Sequence, residues 1–325
     1  MAASIELSCA FPAAVRHVEH AALAESLGYE RVWFYDSPAL YEDVWMVLAL
    51  AARRTSRVGL GPAVLVPDLR HVLVTASAIA TLEELAPGRV EVAIGTGFTG
   101  RMVLGQKPLP WRFVERYVRD LRSLLHGEQV EVDGKLVQMI HPDGYAPPRP
   151  IRTPLIVAAS GPKGTAIARD IGDGIMCVGA PQPGFERCGL LTFGTVLDEG
   201  EALDDERVLA AAGPAAAVVF HGIYESAPEA VDGIPGGSTW RASVEKVPAA
   251  ARHLAVHDQH LVALTARDRE ALDPSLIPSF TWTGTAEEIR ARAEAAAAGG
   301  ATELLYAPMG PDVERELRAF RDAIA

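Results

Sequence analysis

The chain has 325 residues, of which 49% are hydrophobic and 22% charged, values that are ordinary for a globular protein. Its 42 acidic and 30 basic residues give a net charge of −12, which argues against nonspecific nucleic-acid binding, because such binding needs basic patches. Three cysteines without a C-x-x-C pair argue against a disulfide framework or zinc cluster. We expect a single domain over residues 1–325, since no interdomain linker is visible, and, because no apolar run reaches about 18 residues, a cytoplasmic protein with no membrane contact.

Short β-rich runs alternate with longer helical stretches, a pattern that predicts a parallel α/β sheet. The predicted strands cover residues 5–11, 31–36, 57–66, 90–95, 154–160, 174–178, 188–197 and 302–307. Eight strands, nearly all followed by a helix, favour a (β/α)₈ TIM barrel over a doubly wound open sheet. The segment 204–279 is too long for one connection, so it predicts a helical insertion between the seventh and eighth strands, over the barrel mouth.

Glycine-rich turns follow two of these strands. Residues 161–164, Gly-Pro-Lys-Gly, open a helix, where backbone N–H groups and the helix dipole favour an anion and Lys163 adds a positive charge. A plain tight turn is the alternative interpretation. The other turn, Gly95-Thr96-Gly97, is not the G-x-G-x-x-G dinucleotide fingerprint, since the next glycine is Gly100.

Asp36 ends the second predicted strand, at the end of the barrel where active sites are built. It is the candidate catalytic residue, either orienting a ligand or handling a proton. A carboxylate that caps the following loop is the alternative.

Three histidines in the insertion have helical spacing. His253, His257 and His260 stand at i, i+4 and i+7, which predicts one shared helix face. No H-E-x-x-H pattern accompanies them, so we predict no metal site. A polar lining of a substrate pocket and a solvated or dimer-facing helix remain as alternatives.

Aromatic and polar residues near the mouth are candidates for a substrate pocket, because such pockets combine aromatic walls with a few polar groups. They are Phe98, Trp111, His221, Trp240 and His257.

Several segments, in this order and spacing, resemble the luciferase-like superfamily of flavin- and F420-dependent oxidoreductases. They are residues 28–36, 57–64, 80–82, 87–89, 94–97, 159–163 and 172–174. Within that superfamily the chain is most similar to the F420-dependent branch that contains methylenetetrahydromethanopterin reductase.

The resemblance implies hydride transfer between F420 and an organic substrate at the C-terminal mouth of the barrel. An FMN-dependent monooxygenase, which would use O₂ and reduced flavin from a partner reductase, is the alternative. A cofactor-free binding protein on the same barrel is an alternative of another class. Because members of the family commonly dimerise, we expect a homodimer.

The resemblance also assigns roles to individual positions. It implies a cis peptide bond at Ala63-Val64 behind the cofactor ring, and a turn at Ser160-Gly161-Pro162 that meets the phosphate or ribityl side. The full set of implied cofactor contacts is Ser37, Ala63, Val64, Thr96, Gly97, Ser160, Gly161, Pro162, Lys163, Val178 and Gly179.

Two positions depart from the family pattern. Ser37 stands where F420 enzymes of this group often have histidine, and Phe98 stands where the sugar-phosphate dehydrogenase branch has glutamate. Two proton-handling groups are therefore missing, so the proton donor is unassigned and the glucose-6-phosphate reaction is not expected.

Overall fold

Eight parallel strands form the central sheet in the computed structural model, which describes residues 5–325. They are β1 (Glu6–Pro12), β2 (Arg31–Tyr35), β3 (Gly59–Pro62), β4 (Val92–Ile94), β7 (Leu155–Ala158), β8 (Gly174–Val178), β9 (Cys188–Phe193) and β10 (Glu303–Ala307), with β5 (Val130–Val132) and β6 (Lys135–Val137) forming a separate antiparallel hairpin.

The strand order is β3-β2-β1-β10-β9-β8-β7-β4, and the two end strands meet. Leu60 N donates to Arg89 O at 2.8 Å, and Leu65 N donates to Ala93 O at 2.7 Å, which joins the β3 side to the β4 side. These bonds close the sheet on itself. The predicted (β/α)₈ barrel is therefore confirmed, and the open sheet is excluded.

Thirteen helices occur among the described residues. They are α1 (Val18–Ser26), α2 (Val44–Arg54), α3 (Val72–Leu85), α4 (Phe98–Met102), α5 (Trp111–His126), α6 (Pro162–Ile171), α7 (Glu206–Ser226), α8 (Gly237–Glu245), α9 (Arg252–Val256), α10 (Ala266–Ala271), α11 (Ile277–Phe280), α12 (Ala286–Ala298) and α13 (Val313–Ile324).

An ion cluster fills the amino-terminal end of the barrel interior. Glu91 is buried and accepts a 2.6 Å hydrogen bond from Arg31, and it also pairs with Arg187. Arg31 reaches Glu303 at 3.3 Å. Burial raises the pKa of Glu91, although both arginines oppose that shift. Paired charges of this kind fill the amino-terminal end of the barrel without leaving a buried carboxylate uncompensated.

Helices α7 to α11 form a cap with a hydrophobic core of its own, in which Trp240 stacks on Phe220 with ring centroids 5.7 Å apart. The cap lies over the carboxyl ends of the strands, because its residue Leu261 packs on the apolar interior of the barrel. By length and composition α7 is apolar enough to cross a membrane, contrary to the sequence expectation, but 61% of its most apolar window is buried inside the protein.

Candidate functional site

All the implied cofactor contacts lie at or just after the carboxyl ends of β2, β3, β4, β7 and β8. Parallel strands bring these ends to one rim, so residues far apart in sequence surround the same opening. The rim is the face on which TIM-barrel enzymes build their active sites. We call this rim the mouth.

The segment after β3 backs the mouth. The Ala63-Val64 peptide bond is cis, as the resemblance implies, and Ala63 is buried whereas Val64 is half-buried. A Cβ atom on Gly95 would lie 2.8 Å from Val64 Cγ1 and 3.3 Å from Ala158 Cβ. Only glycine therefore lets the end of β4 fit between the β3 segment and the end of β7.

The turn after β4 is equally close-packed. Gly97 has φ of 74°, a left-handed conformation that favours glycine, and a Cβ there would lie 2.5 Å from Val66 Cγ1. Ser37 is buried beneath this turn, where a Cβ on Gly100 would lie 3.3 Å from Ser37 Oγ. Thr96 is half-buried. Of this group, Thr96 is thus the side chain most open to a ligand.

Asp36 does not present a free carboxylate to the mouth. Its side chain is 1% exposed, and both oxygens accept hydrogen bonds from Arg70 Nη1, at 2.9 and 2.8 Å. Its Oδ2 also accepts from Val66 N at 3.2 Å, and Arg70 Nη2 bonds Asp43 at 2.9 Å. Burial raises the pKa of Asp36, while Arg70 opposes that shift. In this arrangement Asp36 ties the β2 end to the segment after β3, and its catalytic role stays a prediction.

The turn after β7 offers a binding surface. Ser160 Oγ donates to Val178 O at 3.2 Å and accepts from Val178 N at 3.1 Å, which fixes the β7 and β8 ends together. Residues 160–163 and 178–179 are exposed. No side chain caps the N-terminus of α6, and a Cβ on Gly161 or Gly179 would meet nothing within 4 Å. Free backbone N–H groups, Lys163 and open space suit a phosphate.

Two of the predicted pocket residues lie at the rim. Phe98 is 46% exposed, and its Cζ would lie 4.0 Å from a Cβ on Gly222 of α7, so its ring stands between the mouth and the cap. Trp111 is half-buried and packs against Gly164, in the first turn of α6. Both can wall a ligand bound at the mouth.

Trp240 lies elsewhere. It is fully buried in the cap core, and its indole N–H donates to Asp268 Oδ1 at 2.7 Å. The prediction that it lines a pocket is wrong, because α8 turns this side chain inward against α7 and α10. The sequence could not show which face of a short helix would be covered.

The three histidines of the insertion do not share a helix face, so that prediction is also wrong. Helix α9 ends at Val256, and Gln259 and Leu261 have φ of 56° and 58°, which reverses the chain. The turn brings His257 and His260 to His221 of α7, and all three are buried. His221 and His257 are therefore enclosed in the cap and do not line an open pocket.

Hydrogen-bond partners hold this cluster next to the mouth. His221 Nδ1 lies 3.0 Å from His260 Nδ1. The backbone oxygen of His260 accepts from Tyr41 Oη at 2.6 Å, and its ring lies 3.3 Å from Thr99 Oγ1. Burial lowers the pKa of both His221 and His260, so both rings are neutral near pH 7.

A family model for luciferase-like monooxygenases matches residues 4–303. Among curated relatives, an F420-dependent glucose-6-phosphate dehydrogenase from Beutenbergia cavernae is 38% identical over 176 residues, which cover 48% of this chain and 50% of that protein. The chain thus matches about half the length of that relative. A 5,10-methylenetetrahydromethanopterin reductase from Archaeoglobus fulgidus is 25% identical over 327 residues, 91% of this chain and 90% of that one.

Solved structures agree on the fold. The coenzyme F420-dependent tetrahydromethanopterin reductase from Methanopyrus kandleri superposes with a TM-score of 0.69 at 19% identity, covering 99% of both chains. An F420-dependent secondary alcohol dehydrogenase, solved with an F420-acetone adduct, gives a TM-score of 0.68 at 18% identity and 99% coverage of both. At these identities the likeness shows a common barrel.

Proposed function

The chain belongs to the luciferase-like monooxygenase family, and from that premise we propose that it is an oxidoreductase that transfers a hydride between F420 and an organic substrate. The name of the relative at 38% identity, an F420-dependent dehydrogenase, supports F420 as the cofactor. We place the reaction at the mouth, where the implied cofactor contacts lie on one rim.

The observation that carries this proposal is the pairing of two surfaces at that rim. A Cβ on Gly95 would meet both Val64, which belongs to the cis bond, and Ala158, just before the turn into α6. An apolar backing for a flat ring therefore lies beside a helix N-terminus suited to an anion. A cofactor with both a ring and a phosphate fits this arrangement.

The chain's own residues would bind and orient the cofactor. Bound F420 supplies the hydride chemistry, and the protein supplies placement and exclusion of water. Val64 would back the ring, the N–H groups at the start of α6 and Lys163 would hold the phosphate, and Phe98 would shield the site beneath the cap. Ser37 and Phe98 carry no ionisable group, so we do not extend the glucose-6-phosphate reaction to this chain.

A second candidate is an FMN-dependent monooxygenase, which the description of the family model favours. It would use O₂ and reduced flavin from a reductase partner. The same rim would hold FMN, because FMN also combines a flat ring with a phosphate.

We propose further that the chain acts as a cytoplasmic homodimer. Exposed apolar side chains on the neighbouring helices α2 and α3 support this: Met46 is 72%, Leu50 46% and Val74 55% exposed. Exposed apolar side chains of this kind are suited to association with a second copy.

The test is a fluorescence titration of the purified protein with F420 and, separately, with FMN. We expect F420 to bind, and Lys163→Glu to weaken binding about tenfold, equivalent to ~1.4 kcal/mol. The matched control is Lys135→Glu, the same charge change in β6, which should leave affinity unchanged.

Each outcome of the titration separates the candidates. Tight binding of FMN alone would favour the monooxygenase. If neither cofactor binds at tens of micromolar, a weak affinity for a cofactor, the oxidoreductase proposal fails and a binding protein on the same barrel remains.

A further inference from the structure

Three histidine side chains converge inside the cap. His221 comes from α7, and His257 and His260 come from the turn after α9; they are 3%, 0% and 3% exposed. One ring nitrogen from each lies within 4.8 Å of the other two. Complete burial of three imidazoles in one cluster calls for a ligand or a closed hydrogen-bond network.

Hydrogen bonds account for only part of the cluster. His221 Nδ1 and His260 Nδ1 face each other at 3.0 Å, so one proton can serve that pair. Neither ring nitrogen of His257 has a hydrogen-bond partner among the described residues. Its Nε2 lies 3.3 Å from Glu225 Oε1 but is not oriented for a hydrogen bond. The cluster therefore contains a buried imidazole whose polar atoms are unsatisfied.

Each ring also has an oxygen beside its Nε2 atom. The pairs are His221 with Asp268 Oδ1 at 3.6 Å, His257 with Glu225 Oε1 at 3.3 Å, and His260 with Thr99 Oγ1 at 3.3 Å. Metal-ligating histidines are often oriented by an oxygen hydrogen-bonded to the nitrogen that does not coordinate, and the Thr99–His260 contact is a hydrogen bond of that kind. The remaining nitrogen of each ring is Nδ1.

The spacing also suits a small cation. With Zn–N bonds of about 2.0–2.1 Å, neighbouring ligands in a tetrahedral site lie about 3.3 Å apart. The 3.0 Å separation between His221 and His260 is near that value. Imidazole nitrogens suit Zn²⁺, Cu²⁺ and Ni²⁺, whereas Mg²⁺ and Ca²⁺ require oxygen ligands.

We propose that His221, His257 and His260 form a binding site for a divalent transition metal ion, with Zn²⁺ as the reference ion. Three histidines leave the fourth position of a tetrahedral ion to water. The ion would join α7 to the turn after α9 and, through the bonds of His260 to Tyr41 and Thr99, hold the cap over the mouth. This inference does not depend on which cofactor the mouth binds.

Metal content and affinity test the proposal. The full-length protein is stripped with a chelator, titrated with Zn²⁺ by calorimetry, and separately loaded with Co²⁺, whose visible absorption reports coordination. We expect one ion per chain and a Zn²⁺-dependent rise in melting temperature. His257→Gln should weaken binding by at least about 100-fold, because changes one layer beyond the ligands already cost about 10–100-fold.

Two histidine variants serve as controls. His253→Gln changes a half-buried histidine of α9 outside the cluster and should bind as the unmodified protein does. His20→Gln removes one member of a separate histidine pair, in which His17 and His20 Nδ1 atoms lie 2.8 Å apart. Loss of the ion in His20→Gln with retention in His257→Gln would overturn the proposal, as would no Zn²⁺ binding at all.

X-ray absorption of the unmodified metal-loaded protein keeps the test open if His257→Gln does not fold. Three imidazole ligands around the ion support the site, and one or two refute it. Because this readout needs neither F420 nor turnover, failure of the metal site and failure of the proposed function give different results.

Discussion

Replacing Asp36 by asparagine tests whether this residue holds the mouth together or performs chemistry. The substitution keeps the shape and removes the charge that accepts two hydrogen bonds from Arg70, in a side chain only 1% exposed. Breaking a buried ion pair by removing one partner costs about 3–5 kcal/mol. Arg70 is 14% exposed and keeps Asp43, so we expect the low end, about 3 kcal/mol.

The assay is urea unfolding at pH 7, followed by tryptophan fluorescence, with the transition midpoint as the readout. Asp43→Asn is the matched control: its carboxylate bonds the same arginine at 2.9 Å but is 44% exposed. Asp43 also caps α2 through Trp45 N and Met46 N, a role that asparagine can fill, so we expect a loss of about 0–1 kcal/mol. If Asp36→Asn unfolds like Asp43→Asn yet loses turnover, the positioning role is refuted and Asp36 returns as a catalytic group.

Two further substitutions test local features of the barrel. Burial raises the pKa of Glu25, but hydrogen bonds from Val58, Arg57 and Ser56 outweigh it and lower the pKa to about 2 from 4.5. Because the folded pKa lies below the unfolded value, Glu25→Gln should lower the free energy of unfolding by about 1–2 kcal/mol at pH 7. The stability difference between the two proteins, measured from urea midpoints, should be lost as pH falls from 4.5 to about 2. A stability difference of unchanged size at pH 2 would contradict this. Gly97→Ala should cost about 1–3 kcal/mol from its left-handed backbone and its contact with Val66, whereas Gly161→Ala, which faces open space, should be neutral by the same measurement.

The barrel could be predicted because its signals are local. Each strand is a short apolar run bounded by glycine, proline or polar residues, and the alternation with helices fixes a parallel sheet. The uncapped turn at 161–164 was visible for the same reason, since Gly-Pro-Lys-Gly specifies its own backbone. The backbone conformation of these segments depends little on the rest of the chain.

The errors concern side chains whose environment comes from distant elements. The pairing of Asp36 was missed because Arg70, 34 residues away, is brought to it only by the bend after β3. The helical spacing of His257 and His260 was misleading because positive φ at Gln259 and Leu261 reverses the chain, and neither residue type signals this. Their partner His221 is 39 residues from His260, so only the packing of α7 reveals the cluster.

The contacts between cap and mouth join a part of the fold set by local backbone to a part set by long-range packing. The mouth is shaped partly by backbone, at Gly95 and Gly97, where a side chain would collide with Val64 or Val66. The cap is attached to it partly through polar bonds at one residue, since Tyr41 donates to the backbone of His260 and Thr99 lies beside its ring. The turn that carries His260 is short and has two residues at positive φ, so local propensity does not hold it in place. An ion bound in the proposed site would also satisfy the buried nitrogens of His257, and it would link them to His260 and so to the position of the cap over the mouth.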